Sequence, residues 1–378
     1  MNYSIILYIV GKVMMLEATC FLIPAVTSII YGEHEGLAYL TVGVVAAVIG
    51  YLISSKKKFE HVFFAREGFV MVALSWIVLS VVGAIPFVVT GEIPNMIDAL
   101  FETVSGFTTT GASILEDVES LSHTSLIWRS FTHWVGGMGV IVLLLAILPM
   151  AGGYNMHLMK AESPGPVVGK LVPRLRDTAK ILYLIYLVMT VIEFVILVII
   201  KMPVFDALCI TFGTAGTGGF GIKADSIGSY SYAIQVVVTV FMILFGVNFN
   251  AYFVLLGKHK KEAFKIEEVR WYFGIIFAAI VIITVNIRGY FDNILIALNH
   301  AAFQVGSIIT TTGYSTTDFD RWPQLSRNIL IFLMMCGACA GSTGGGLKVS
   351  RIVVMVKSAF QEIGYYIHKR CVNNINMD

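Results

Sequence analysis

The chain has 378 residues, of which 57% are hydrophobic and 13% charged, with a formal net charge of +2 and a mean hydropathy of +0.81. An ordinary soluble domain carries roughly 25% charge, so a water-soluble fold of this size would lack the polar side chains to cover its surface. The near-neutral balance, with basic residues in short separate clusters, also excludes a disordered or nucleic-acid-binding chain, and at about 20 apolar residues per span the length holds about eight membrane spans.

Apolar runs fall at 4–31, 37–54, 67–90, 126–150, 178–200, 229–256, 271–288 and 326–358. No basic region precedes the first run and no clear cleavage site follows it, so it is read as a retained helix. Lys12 and Glu17 within it are expected to snorkel to an interface, a buried relay being the alternative. Lys56, Lys57, Lys58 and Arg66 separate runs two and three; Lys160, Lys170, Arg174, Arg176 and Lys180 separate four and five; Lys258, Lys260, Lys261, Lys265 and Arg270 separate six and seven. The stretch 87–128 instead carries Glu92, Asp98, Glu102, Glu116, Asp117 and Glu119 with no Lys or Arg. By the positive-inside rule both termini and the basic loops are expected on the cytoplasmic side. Cys20, Cys209, Cys336, Cys339 and Cys371 are odd in number and mostly in apolar surroundings, which argues against a disulfide framework. Cys336 and Cys339 have redox spacing but no second pair follows them, and they read as small packing residues.

The loops after runs three, five and seven each hold an apolar segment of about 10–12 residues, too short to cross a bilayer, followed by a Gly/Thr-rich stretch. Such a pattern reads as a re-entrant element, because irregular backbone at membrane depth survives only inside protein or beside a water-filled cavity. The segments are copies of one another. Asp98 to Ala112 aligns without a gap to Asp206 to Phe220, and Ala301 to Ser315 repeats the Thr-Thr-Thr-Gly run of the first copy. The unit is span, short pore helix, Thr/Gly strand, span. Backbone carbonyls and Thr hydroxyls supply uncharged oxygens that can replace the water shell of a monovalent cation, and glycine permits backbone angles that turn successive carbonyls to one side. No carboxylate lies within the strands, which suits potassium better than a divalent ion.

These three motifs, with His133-Trp-Val-Gly-Gly-Met-Gly139, Gly246-Val-Asn-Phe-Asn250 and Ala340-Gly-Ser-Thr-Gly-Gly-Gly-Leu-Lys348, resemble the TrkH/KtrB family of potassium transporters over essentially the whole chain. The resemblance implies an all-α polytopic membrane protein in which two initial helices precede helix–pore–helix repeats around one axis. It also implies a homodimer of the full-length protein beside a cytosolic, nucleotide-binding, TrkA/KtrA-like regulatory ring, with no covalent cofactor and K+ as the transported ion. Carried onto this sequence, the potassium-binding filter positions are Thr109, Thr110 and Gly111; Thr217, Gly218 and Gly219; Thr311, Thr312 and Gly313. Filter two departs from the pattern in having Gly218 where the others have Thr.

The last run is longer than one crossing and holds five glycines between Gly337 and Gly346, at a cost of about 1 kcal/mol each in a helix. A phosphate-binding loop fails on spacing, since Leu347 precedes Lys348 and no Ser/Thr follows it. A close-packing kink and an intramembrane loop beneath the filter remain; the resemblance implies the second, with Gly341, Ser342, Thr343, Gly344, Gly345, Gly346 and Lys348 as the gate. Lys348 bonds to loop carbonyls or snorkels. His133 reads as a packing residue, Gly136, Gly137 and Gly139 as sites of close helix approach, and Asn248 and Asn250 as partners for backbone groups behind a filter.

The expected organisation is two peripheral helices (1–58), three repeats (59–160, 161–262 and 263–360) and a cytoplasmic tail (361–378), with a fourth filter expected near ~410 by extrapolating the repeat and absent from this sequence. A fragment, a split gene and a degenerate gene all account for that, a fragment best. The reading is potassium uptake across the bacterial plasma membrane through a non-enzymatic, carbonyl-lined path. The alternative is a cation-coupled symporter, which calls for an inverted repeat and intramembrane ionisable residues, whereas the repeats here share one orientation.

Overall fold

The structure, a computed structural model, describes residues 3–55, 65–137, 139, 175–257 and 260–367. Among these the chain is helical, without a strand, as expected of an all-α polytopic membrane protein. The described residues divide into two units, one up to 227 and one from 228 on. The first holds α1 (Tyr3–Cys20), α2 (Leu22–Tyr31), α3 (Gly36–Ser55), α4 (Ala65–Thr90), α5 (Met96–Phe107), α6 (His123–Gly137), α7 (Leu175–Ile199) and α8 (Val204–Ala215). The second holds α9 (Tyr232–Phe245), α10 (Phe249–Leu256), α11 (Lys260–Ala263), α12 (Glu267–Ile287), α13 (Ile294–Ile309), α14 (Gln324–Cys336) and α15 (Val349–Ile367).

Five helical stretches among the described residues are long and apolar enough to cross a membrane: Tyr3–Tyr31, Gly36–Ser55, Arg66–Thr90, Ala179–Ile199 and Glu267–Tyr290. A sixth is counted if α9 and α10, bent by 91° to each other, form one span. Three of the eight expected runs are not single long helices among the described residues. The run at 229–256 bends sharply at Gly246–Asn248, and that at 326–358 is two helices, the first of 13 residues and too short to cross alone. The run at 126–150 leaves the described residues after Gly137, apart from Gly139; the basic residues at 56–58, 160, 170, 174 and 258, and Cys371, lie outside them too.

In the first unit α1 crosses α3 with backbones in contact. A Cβ at Gly50 would lie 2.6 Å from the Gly11 carbonyl oxygen, and one at Gly11 2.7 Å from that of Gly50. Small residues at a membrane crossing let dispersion and backbone contacts replace the hydrophobic drive that lipid does not supply. Glu17 does not snorkel, contrary to expectation: it is 2% exposed and neither carboxylate oxygen has a hydrogen-bond partner. Lys12 places its ammonium 5.7 Å from the Tyr8 ring.

Two carboxylates hold the start of α6, where backbone N–H groups are unpaired and the helix dipole is positive. Glu33, between α2 and α3, accepts from the His123 and Thr124 amides at 2.9 Å and from the Thr124 hydroxyl at 2.6 Å. Glu92 accepts from the Ser122 amide at 2.6 Å and from the Ser125 hydroxyl. The second unit packs α12, α13 and α14 through a buried cluster that includes Tyr272, Ile276, Ile283, Ala301, Ile309 and Leu333.

Burial alone would raise the Glu33 carboxyl, but the hydrogen bonds from Thr124 and His123 outweigh it and hold the group below the usual carboxylate range. A carboxyl lowered in the folded state stabilises above its unfolded pKa of about 4.3 and loses that contribution as pH falls through the folded value. Hydrogen-exchange protection of the His123 and Thr124 amides should therefore hold at neutral pH and fall below about pH 4. Glu33→Ala should abolish the pH dependence; protection that ignores pH in the parent would refute the clamp.

Candidate functional site

Each Thr/Gly segment follows directly on a short helix: α5 and α8, of 12 residues each, and α13, of 16. The third is longer than the 10–12 residues expected. The three segments share one backbone. Thr109, Thr217 and Thr311 have φ of 54°, 52° and 59°; Gly111, Gly219 and Gly313 have 74°, 80° and 90°; the residue between, Thr110, Gly218 or Thr312, is not left-handed. Left-handed residues at the first and third positions keep each segment out of regular strand geometry. A non-glycine residue at positive φ costs about 1–2 kcal/mol. Thr217 and Thr311 each donate their hydroxyl to the preceding carbonyl, at 2.7 and 2.6 Å.

The amides of these segments turn back onto their helices in one repeated pattern. Thr109 bonds to Gly106, Thr217 to Thr214 and Thr311 to Ile308, at 3.0–3.1 Å. Thr110 bonds to Ser105, Gly218 to Gly213 and Thr312 to Ser307, each at 2.9 Å. Among the described residues, no hydrogen-bond donor reaches the carbonyls of 109–111, 217–219 or 311–313. Each segment thus presents a row of unpaired carbonyl oxygens at the C-terminal end of a helix, where the dipole is negative. That arrangement suits a dehydrated monovalent cation. No group of three or more His, Cys, Asp or Glu side chains among the described residues could hold a metal ion.

The first unit shows why its second copy carries glycine. In copies one and three the segment is backed by a pair of hydroxyls, Thr108 with Thr110 at 2.8 Å and Thr310 with Thr312 at 2.7 Å. The equivalent positions in copy two are Gly216 and Gly218, and the space belongs to His133 of α6. A Cβ on Gly218 would overlap the imidazole, and one on Gly216 would lie 2.6 Å from the His133 carbonyl carbon. The ring is fully buried, stacks on Phe220 with centroids 4.1 Å apart, and accepts from the Phe220 amide at 3.4 Å. His133 is the packing residue the sequence suggests. Gly137 approaches the Gly216 Cα, where a Cβ would come within 2.6 Å, and Gly136 lies against Phe107 and Thr109. One face of α6 therefore seats both copies of its unit.

Two further residues here escaped the sequence reading. Glu102 of α5 and Arg129 of α6 form a buried ion pair, 1% and 3% exposed. Glu102 also accepts from the Ser113 hydroxyl and the Ile114 amide, both at 3.0 Å, just past the first segment. Arg129 donates to the Gly221 carbonyl at 2.8 Å and lies 3.6 Å over the Phe220 ring, just past the second. A buried pair is worth little net, but removing one partner strands the other. No spacing links positions 102, 129 and 221.

In the second unit the glycine-rich residues 337–348 form an irregular loop between α14 and α15. Gly337, Gly341, Gly346 and Lys348 have positive φ, between 69° and 84°. The loop touches the third Thr/Gly segment: the Gly345 amide donates to the Thr311 hydroxyl at 2.7 Å, and a Cβ on Gly344 would lie 2.9 Å from the Thr310 carbonyl. Lys348 is 5% exposed and donates to the Gly344 carbonyl rather than snorkelling. Ser342 and Thr343 are buried and bond to the Cys339 and Phe245 carbonyls. Asn248 caps α10, accepting from the Asn250 amide at 2.9 Å, and lies beside Gly341.

The collision at Gly218 gives a double-mutant test. Gly218→Thr should destabilise the protein by about 1–3 kcal/mol through overpacking. Combined with His133→Ala, the coupling should recover about 0.5–3 kcal/mol in thermal unfolding of detergent-purified protein; additive losses would show that the imidazole is not the obstacle. Arg129→Ala should cost about 3–5 kcal/mol by stranding Glu102.

The profile of the TrkH family of cation transport proteins matches residues 39–378. The chain is 38% identical to the Trk system potassium uptake protein TrkH of Salmonella typhimurium, over all of this chain and 80% of that protein. It is 32% identical to TrkG of Escherichia coli, over all of this chain and 79% of the relative. The crystal structure of the potassium transporter TrkH from Vibrio parahaemolyticus superposes with a TM-score of 0.88 at 33% identity, covering all of this chain and 79% of that one. On sequence and fold together, the chain belongs to the TrkH family of cation transport proteins.

Proposed function

We propose that the protein takes part in potassium uptake across the bacterial plasma membrane, with both termini cytoplasmic, and that the ion travels past the carbonyls of Thr109–Gly111, Thr217–Gly219 and Thr311–Gly313. The observation that carries this reading is the backbone alternation, repeated at 109/111, 217/219 and 311/313, with the carbonyls unpaired among the described residues. The potassium uptake named for the relatives supports the choice of ion. Residues 341–346 and Lys348 act as the gate, because the loop contacts the third segment at Thr310 and Thr311. The working assembly is a homodimer of the full-length protein with a cytosolic nucleotide-binding ring, as in the family the motifs resemble. Cation-coupled symport keeps one observation in its favour, the unpartnered carboxylate of Glu17 inside a span; movement of protons or sodium along with potassium, abolished by Glu17→Gln, would establish it instead.

Gly111→Ser and Gly313→Ser place a side chain at a left-handed position of the path, and each should lower the preference for potassium over sodium. Uptake of Rb+ against Na+ in cells expressing the protein reads this directly; unchanged preference in both variants would overturn the filter assignment. Shortening 341–346 should raise Rb+ flux, and a folded variant whose flux is unchanged or lower would remove the loop from gating.

A further inference from the structure

Glu268, the second residue of α12, is 5% exposed in a chain with few charges. A buried carboxylate is tolerated only when donors replace its water. Three donors surround this one, from three places in the second unit. The Ala340 amide donates to Oε1 at 2.7 Å, the Ser350 amide donates to the same oxygen at 3.2 Å, and the Asn248 side-chain amide donates to Oε2 at 3.4 Å. Ala340 immediately precedes the 341–346 stretch of the glycine-rich loop, Ser350 lies in the first turn of α15 just beyond the loop, and Asn248 caps α10 at the 91° bend.

One side chain therefore clasps the loop at entry and exit. Between these two points the loop reaches the third Thr/Gly segment, where the Gly345 amide meets the Thr311 hydroxyl. Two backbone bonds reinforce the clasp beside Asn248: the Cys339 amide to the Gly246 carbonyl and the Phe249 amide to the Gly341 carbonyl, both at 3.0 Å. The neighbouring Glu267 meets Lys357 of α15 at 2.6 Å, so the first turn of α12 also grips the helix that follows the loop. These hydrogen bonds add to those that Ser342, Thr343, Gly345 and Lys348 make in holding the loop. Bonds from amides to a carboxylate are the strong members of the set.

We propose that Glu268 is the positioning residue that latches the glycine-rich loop against the third segment, so that release of its bonds to Ala340 and Ser350 lets the loop withdraw. The latch rests on the gate reading given above. It differs from a merely structural role in one respect: loosening it raises flux and leaves ion preference alone, because Glu268 touches none of the nine filter residues.

The test compares Glu268→Gln with the shortened loop, reading Rb+ influx and the Rb+/Na+ ratio in cells, with membrane abundance and melting temperature as controls. Glu268→Gln keeps the shape and removes the charge. The latch requires a rise in Rb+ influx of about tenfold, the scale of one charge-assisted hydrogen bond, at an unchanged ratio. If loop shortening raises influx while a folded Glu268→Gln stays at the parent level, the latch is wrong and the gate stands. If loop shortening does not raise influx, the gate reading fails and the latch with it. Should Glu268→Gln not reach the membrane, Ala340→Pro deletes the donor and leaves the carboxylate: raised influx at an unchanged ratio supports the latch, and parental influx overturns it.

Discussion

The carbonyls proposed to hold the cation are kept away from amide protons, and the local structure around the Thr/Gly segments is arranged around that separation. In each of the three copies the amides fold back onto the preceding helix, at 2.9–3.1 Å for the two central positions, so the carbonyls have no protein donor among the described residues. The left-handed threonine at 109, 217 or 311 makes the reversal possible. Its conformational cost is accepted three times over, which marks the geometry as the feature to which the other residues are adapted.

Several of the few charges are spent on holding backbone. Glu33 and Glu92 hold the start of α6, Glu102 and Arg129 hold the chain just past two of the segments, and Glu268 holds the ends of the glycine-rich loop. A carboxylate in a low-dielectric setting is costly unless amides replace its water. The same cost makes each clamp specific, since moving the clamped backbone would strand the charge. Two of the six acids in the stretch 87–128 organise the interior of the first unit.

The Thr-Thr-Gly runs, the short helices before them and the interruption at Gly337–Gly346 were legible in the sequence because they are local and repeated. The clamps were not, because each joins positions that only the fold brings together: 102 to 129, 268 to 340 and 350. Glu268 in particular sits among Lys265, Glu267 and Arg270 and reads as part of a polar helix start. Glu17 looked peripheral for the converse reason: its burial depends on α4 covering it at Gly83. The bend between α9 and α10 has a visible cause in hindsight, since Gly246 fits closely beside Tyr272 and Thr310, but one glycine in an apolar run does not announce a right angle. Gly218 was legible as an anomaly and became intelligible only with His133 behind it.

The imidazole behind the second segment also bears on how the repeats can change over time. Copies one and three are backed by matched hydroxyl pairs, and a residue from one has a counterpart in the other. Where the others have that pair, copy two has two glycines and an aromatic ring supplied by α6, the helix that follows copy one. Restoring either threonine alone drives a side chain into His133, and shrinking His133 alone leaves a void beside two glycines. Each single exchange gives a worse-packed protein, so three segments that share one backbone are not interchangeable parts.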